Sequence, residues 1–496
     1  MITATGMLTA ILQTLDNTIA NVALPRMQGS LSATQDQMSW VLTSYIIAAA
    51  IATPLTGWLA GRFGRKLLFL VSIAGFTLAS MLCGLAQSLP QIVLFRFLQG
   101  LAGAALVPMS QAVLFDINPP ERHGRAMAAW GQGVLLGPML GPIVGGWLTD
   151  HYSWRWVFYI NLPLGILAFL GVLACMPEGG ARRSRFDFFG FALLSIAIAG
   201  LQLVLDRGPY KDWFGSTEIV VEAVAAGLAL YLFAVHTATA REPFIRPALF
   251  RDRNFLTGNV LAFVVGVVIF ATLSLLPSLL QNLMNYPVLG AGLLTSPRSL
   301  GSLAAMLVVG HLVGRIDPRL IIGAGFSLTA LSLWQMTHFD LAMDGGPVFW
   351  SGLFQGFGVG IAYVPMAALA FATLAPELRN EGTAMFSLSR NIGSSVGIAL
   401  VQALLAHNLQ VVHAGLAGHL TPYNLAARDP QLAARLATPE GLALFDAGLS
   451  RQAAMIAYID DFQLMLLLIV MAIPLLLLVR PVKAAAREEA PYVAVE

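Results

Sequence analysis

Gly131-Gln132-Gly133-Val134-Leu135-Leu136-Gly137-Pro138-Met139-Leu140-Gly141-Pro142-Ile143-Val144-Gly145-Gly146 is the stretch on which the reading of the whole chain turns. Gly133, Gly137, Gly141 and Gly145 recur every fourth residue, so on a helix they form one slowly drifting stripe without side chains, against which another helix backbone can pack closely. Pro138 and Pro142 remove backbone donors and would kink a helix in water. A membrane helix tolerates them because its neighbours re-satisfy the freed carbonyls. A single GxxxG is ordinary small-residue packing; four glycines in register with two prolines describe a docking face inside a helical membrane bundle.

Composition agrees. The chain has 496 residues, of which 57% are hydrophobic and 11% charged, and its mean hydropathy is +0.74, whereas in soluble domains roughly a quarter of residues are charged. It reads as an all-α polytopic membrane protein. A net charge of +2 points to no nucleic-acid partner. Cys83 and Cys175 both fall inside apolar segments, so neither a disulfide framework nor a cysteine metal site is implied. His407, His413 and His419 recur at a spacing that does not share a helix face, so no metal site is expected there. The first apolar helix begins almost at Met1 without a basic leader or a small-residue cleavage site and is read as a retained span.

At about 20 apolar residues per span, fourteen helices are expected near 4–25, 39–60, 67–87, 90–112, 126–148, 156–176, 188–206, 217–236, 257–281, 289–313, 320–338, 347–371, 383–406 and 461–480. Loops after the even-numbered helices hold most of the arginines, among them Arg62, Arg65, Arg122, Arg125, Arg182, Arg246, Arg253, Arg315 and Arg379, together with Lys66. The short opposite loops hold only Arg26, Arg155, Arg207 and Lys211, which places both termini in the cytoplasm.

The chain also repeats itself. Gly57-Trp-Leu-Ala-Gly61-Arg62 returns as Gly310-His-Leu-Val-Gly314-Arg315, an offset of 310 − 57 = 253, and Phe97-Leu-Gln99-Gly100 returns as Leu353-Phe-Gln355-Gly356. Helices one to six therefore mirror nine to fourteen, with two helices inserted between. The expected organisation is a six-helix half over 1–180, an inserted pair with linker over 181–250, a second half over 251–482 and a cytoplasmic tail over 483–496. Two such halves facing each other across a midplane cavity suit alternating access.

Charge is unequal between them. Asp16 lies nine residues before Pro25, about 14 Å inside the membrane at 1.5 Å per residue. Arg96 enters the fourth helix from the same side to a depth of about 9 Å, within reach of Asp16 if the helices are neighbours. The equivalent offset in the ninth helix lands on Ile269, and Gly352 replaces Arg96 in the twelfth. Such a pair can serve proton coupling or be a permanent structural ion pair. Gln13, Asn17 and Asn21 follow at helical spacing and either line a wet cavity or bond between helices. Gln99, Gln355 and the mid-depth Arg298 complete the cavity candidates, Arg298 either facing a polarised substrate or holding carbonyls. Arg390 near a helix end, Glu222 on the inserted pair and Asp206 are weaker candidates.

These motifs resemble those of the major facilitator superfamily. The glycine stretch is similar to its antiporter signature. Gly57-Trp-Leu-Ala-Gly-Arg62-Phe-Gly64-Arg65-Lys66 resembles its cytoplasmic gating loop, with Gly61 where Asp is common, and Arg96-Phe-Leu-Gln99-Gly100 resembles the fourth-helix motif associated with proton relay. Leu15-Asp16-Asn17-Thr18-Ile-Ala-Asn21-Val-Ala-Leu24-Pro25 and Ser153-Trp154-Arg155-Trp156-Val-Phe-Tyr-Ile-Asn161-Leu-Pro163 resemble the fourteen-span drug:proton antiporters. Leu205-Asp206-Arg207-Gly208 with Asp212-Trp213-Phe214 looks most like the EmrB-type branch. The resemblance implies a bacterial inner-membrane exporter of amphipathic or hydrophobic compounds, working with a periplasmic adaptor and an outer-membrane channel.

No Gly-x-x-x-x-Gly-Lys-Ser/Thr loop is present, so an ion gradient is the expected energy source and no cofactor is implied. One proton yields about 2.3 kcal/mol per 100 mV, so at roughly 150 mV it supports a solute gradient of roughly 300-fold. No paired nucleophile and base argues for an enzyme. A dedicated metabolite or siderophore exporter and a non-transporting sensor or scaffold both remain open. Residues 407–460 read as a long external loop, part of it helical from the Thr438-Pro439 cap onward, that serves as an adaptor contact or as a cap over the vestibule.

Overall fold

The computed structural model describes residues 2–33, 35–118, 123–176, 186–313, 315–418 and 438–480. Pro120, Glu121, Arg122, Arg182, Arg183, Arg185, Gly314, His419, Lys483 and Arg487 lie outside them, and within the fifth helix the side chains of Pro138 and Pro142 are not described. No β-strand occurs among the described residues.

The helices of the first half are α1 (Ile2–Leu31), α2 (Gln35–Phe63), α3 (Arg65–Leu85), α4 (Leu89–Ile117, with a turn at Ala104 and Ala105), α5 (His123–His151) and α6 (Trp156–Cys175). The insert is α7 (Phe188–Arg207) and α8 (Thr217–Thr239). The second half follows as α9 (Arg253–Leu283), α10 (Gly290–Leu312), α11 (Pro318–Met336), α12 (Gly346–Ala372), α13 (Arg379–Gly418) and α14 (Pro439–Leu478). Among the described residues, eleven helices are long and apolar enough to cross a membrane. α1, α5 and α11 are not among them, α5 containing several side chains that are not described. Asp16 and its amides dilute the apolar character of α1.

Packing partners repeat after eight helices. In the first half α1 packs on α5 and α6, α2 on α4, and α3 on α4 and α6; in the second α9 packs on α13 and α14, α10 on α12, and α11 on α12 and α14. Close approach of backbones makes this possible. A Cβ on Gly100 of α4 would stand 2.4 Å from the Tyr45 carbonyl of α2, and one on Gly356 of α12 would stand 1.9 Å from the Arg298 carbonyl of α10. Only glycine allows either contact.

The halves meet through α2 with α13 and α5 with α10, and α7 rests against both α2 and α13. Their polar ties gather at the arginine-rich end. There Asp116 at the end of α4 is bridged by Arg65 of α3, and Arg379 of α13 reaches it across the interface at 3.7 Å. Beside it the Phe115 and Phe371 rings lie 5.1 Å apart. Gly64 has φ 85° and ψ 150°, a left-handed backbone that lets the chain turn from α2 into α3 and that glycine alone adopts readily. Asp187 caps α7 by accepting from Gly190 and also holds His236 at 2.8 Å and the Phe244 amide. Burial works to raise the Asp187 carboxyl, but these donors outweigh it and hold the group below its usual value.

The region expected as a loop differs most from the sequence reading. α13 runs unbroken for 40 residues and α14 starts at Pro439, with Thr438 accepting from Gly441 as its N-cap. At 1.5 Å per residue, 40 residues span about 60 Å, twice the roughly 30 Å hydrocarbon core. The two helices therefore continue past the membrane as an antiparallel stalk, pinned by Asn408 to Asp460 at 3.2 Å and His413 to Asp446 at 3.0 Å. Length read from hydropathy alone stops where the apolar run stops, although helical propensity does not.

Candidate functional site

The glycine register docks on α1 as its spacing suggests. Cβ atoms on Gly133, Gly137 and Gly141 would fall 2.8 Å from Met7, 2.2 Å from Thr14 and 2.1 Å from Thr18 side chains, and Gly145 faces Ile19. Thr14 and Thr18 donate to the Val134 and Gly137 carbonyls of α5, satisfying acceptors in a helix interrupted by proline. This seam fixes the rotation of α1. Its other side then faces α4 and α6.

On that side Asp16 is 1% exposed and so is Arg96. Arg96 Nη1 donates to Asp16 Oδ2 at 2.7 Å, Gln99 Nε2 to Oδ1 at 2.9 Å, and Asn161 Nδ2 of α6 to Oδ1 at 2.6 Å. All three partners are donors, the set a carboxylate anion requires. Arg96 in turn gives its Nε to the Val41 carbonyl at 3.2 Å and lies over the Tyr45 ring at 4.3 Å. Asn161 also donates to Ser80 Oγ, which in turn donates to the Phe158 carbonyl. Four helices, α1, α2, α4 and α6, thus close on one ion pair.

Gln13 and Asn17 sit on a neighbouring face of α1, partly exposed and turned to Tyr45, and Asn21 is exposed. They do not share the enclosure of Asp16. In the second half Gln355 Nε2 donates to Thr272 Oγ1 at 3.1 Å, and Thr272 touches Met465 of α14. Asp16 and Thr272 therefore stand at one place in the repeat: 272 − 16 = 256, the offset that also relates Gln99 to Gln355. The assignment of Ile269 as the equivalent of Asp16 is corrected. The 253 offset holds from α2 to α10, where Tyr45 and Arg298 share a position, but the second half has three fewer residues between its first and second helices than the first.

Arg298 Nη1 reaches only the Ile269 carbonyl at 3.5 Å, and its buried Nε has no partner. Arg390 donates to the Tyr363 hydroxyl at 3.1 Å, and Glu222 lies 3.4 Å from Arg207. Asp206 accepts from Gln202 one turn away. Around the turn from α2 into α3, Gly57 packs against Glu381 of α13, Gly61 faces open space, Arg62 is exposed and Lys66 partly so. The carboxylates that tie this end are Asp116 and Glu381, the latter bound by Arg246 at 2.6 Å. Among the described residues, no group of three or more His, Cys, Asp or Glu side chains could hold a metal ion.

Sequence reasoning gave no role to Asn161, Tyr45 or Ser80. Asn161 was within reach, since it sits two residues before Pro163 in a polar-aromatic motif at a helix start. Tyr45 and Ser80 carried no such mark.

Two pseudo-symmetric six-helix halves, meeting at one end and carrying a buried ion pair in one of them, define a multi-pass membrane transporter fold. The chain belongs to the Major Facilitator Superfamily, whose family model matches residues 6–408. It is 34% identical over 440 residues to the multidrug export protein EmrB of Escherichia coli strain K12, covering 88% of this chain and 85% of that one. It is 33% identical to the fatty acid resistance protein FarB of Neisseria gonorrhoeae, covering 96% and 94%. Among solved structures, the human organic anion transporter MFSD10 superposes with TM-score 0.61 at 14% identity, covering 94% of this chain and 98% of that one. The proton:xylose symporter XylE superposes with TM-score 0.59 at 15% identity, covering 94% of each.

Proposed function

We propose that this protein is a fourteen-span, proton-coupled multidrug antiporter of a bacterial inner membrane, with both termini in the cytoplasm. The observation that carries the reading is Asp16, enclosed by Arg96, Gln99 and Asn161. A proton placed on this carboxyl removes the charge that Arg96 answers and one acceptor from its neighbours. Gaining or losing it therefore changes how α1, α4 and α6 hold together, which is the coupling an antiporter needs. Similarity to EmrB supports drug export.

With the arginine-rich end tied by Arg65, Asp116 and Arg379, the described conformation is closed toward the cytoplasm. Asp16 is protonated from outside as the pair with Arg96 parts, and yields the proton inward as an amphipathic substrate enters from the cytoplasm or inner leaflet. Gln13, Asn17 and Asn21 line the path beside it, and the α5 glycines seal against α1. The stalk of α13 and α14 offers the surface for a periplasmic adaptor, which would pass substrate to an outer-membrane channel. An imposed pH step across proteoliposomes tests the whole: drug addition accelerates proton movement in the wild type, and its failure to do so removes the reading.

Arg298 favours a narrower substrate class. It is a partly buried cation on a membrane helix that pairs with no carboxylate among the described residues, so amphiphiles bearing an anionic group are favoured cargo. FarB, similar over nearly the whole length, is named for fatty acid resistance. Competition between a long-chain carboxylate and its methyl ester checks this, the acid competing and the ester failing to.

A further inference from the structure

Asp461 lies on α14, and its side chain belongs to no part of the site above. It is 0% exposed, and among the described residues neither carboxylate oxygen has a hydrogen-bond partner. The described groups around it offer no counter-charge. On its own helix Asp460 is a second acid, bound by Asn408 of α13, and Tyr458 sends its hydroxyl to Ser278 of α9. Next to it Phe462 packs its ring on Phe339 beyond α11 at 5.9 Å. Arg451, ten residues up the helix, donates to the Leu283 carbonyl, and His413 of α13 is taken by Asp446.

An ionised carboxylate without donors or a cation costs several kcal/mol to keep in such a place, whereas the protonated acid does not. The repeat makes the position informative. Asn161 of α6 reaches Asp16, and Met465 of α14 reaches the equivalent Thr272, an offset of 465 − 161 = 304. Asp461 then stands where α6 has Val157, since 461 − 304 = 157, one helical turn toward the stalk from the residue that mirrors Asn161. The second half has lost the acid of its first helix and carries one on its last.

We infer that Asp461 is a second proton-binding site, a neutral carboxylic acid in the conformation closed at the arginine-rich end. It is loaded from the stalk side, where α14 leaves the membrane. It gives its proton to water, becoming a carboxylate, when the halves rearrange and open the α9, α11 and α14 contacts. This rests on the proton-coupled reading above and adds a site to it.

Two measurements on the full chain in lipid vesicles test it. Infrared spectra with isotopically labelled aspartate at neutral pH should show a protonated carboxylic acid carbonyl band in the wild type that disappears in Asp461→Asn, a variant with the shape of the neutral acid. Protons moved per drug molecule should fall by one in Asp461→Asn. Absence of the band in the wild type overturns the inference without needing any variant. An unchanged proton count in a folded Asp461→Asn also overturns it, leaving Asp461 as inert packing. A wild type that moves no protons at all condemns instead the antiport reading on which it rests.

Discussion

In the first half Gln99 donates to a carboxylate that also receives Arg96 and Asn161; in the second, Gln355 at the same place donates to the hydroxyl of Thr272, and a thioether stands where the asparagine does. Both arrangements close the same helix contacts. The second shows that the fold can be packed there with neutral groups, and buried ion pairs are commonly no more stabilising than apolar replacements of similar size. Packing therefore does not account for Asp16 and Arg96. The cation has also moved, from α4 in one half to Arg298 of α10 in the other, where it meets no carboxylate among the described residues. Unequal chemistry on equal scaffolds puts the buried ion pair in one half and, among the described residues, a cation without a carboxylate partner in the other.

The largest effect should come from splitting the ion pair. Asp16→Asn leaves Arg96 buried without its counter-charge, costing about 3–5 kcal/mol of stability and abolishing drug-driven proton movement. The double variant Asp16→Asn with Arg96→Gln should regain the stability in thermal unfolding and remain inactive. If the double variant transports, the pair is structural and the contrast between halves has no functional content. Next in size is the matched pair Gly100→Ala and Gly356→Ala. Each puts a methyl group into a carbonyl of the facing helix, an overpacking cost of about 1–3 kcal/mol, and equal losses in unfolding assays would show that the two scaffolds are equivalent.

Smaller is Asp116→Asn, which releases Arg65 and Arg379 at the interface of the halves. Partly exposed bridges contribute about 1 kcal/mol or less, so the population open to the arginine-rich side should rise by up to about fivefold in cysteine-labelling rates there. Thr272→Val removes only neutral hydrogen bonds, to Val268, Met465 and Gln355, about 1 kcal/mol each, and should leave transport within about twofold. A large loss there would break the claim that this position is passive in the second half. The smallest effect is a pH dependence of the insert. The folded Asp187 carboxyl lies below its ordinary value of 3.8, so its stabilising ties to Gly190, His236 and Phe244 are fully present above that value and lost as pH falls through the lowered one. Asp187→Asn should flatten that acid limb in a melting curve taken against pH.

Much of this was legible before any coordinates. Helices, repeat and glycine seam all follow from periodicity, because a membrane forces backbone bonds into helices and leaves side-chain spacing to report which faces meet. The reach of Arg96 to Asp16 followed from depth, on the condition that their helices are neighbours. What the sequence hid depends on register between helices. A three-residue change of offset moved the partner of Asp16 from Ile269 to Thr272, and no pattern along one helix reveals it. Asp16 and Asn17 are adjacent in sequence yet part company, one enclosed and the other partly exposed, because the α5 seam sets the rotation of α1. Asp461 coincided with the start of an expected span and drew no reading; α14 begins earlier, at Pro439, and Asp461 lies in the interior.

The most direct test is proton flux in proteoliposomes holding the Asp16→Asn, Arg96→Gln double variant, once unfolding has shown it to be as stable as the wild type. The account predicts no acceleration of proton movement when drug is added, against a clear acceleration in the wild type. Drug-dependent flux at the wild-type rate would contradict it and return the buried pair to the status of a packing element.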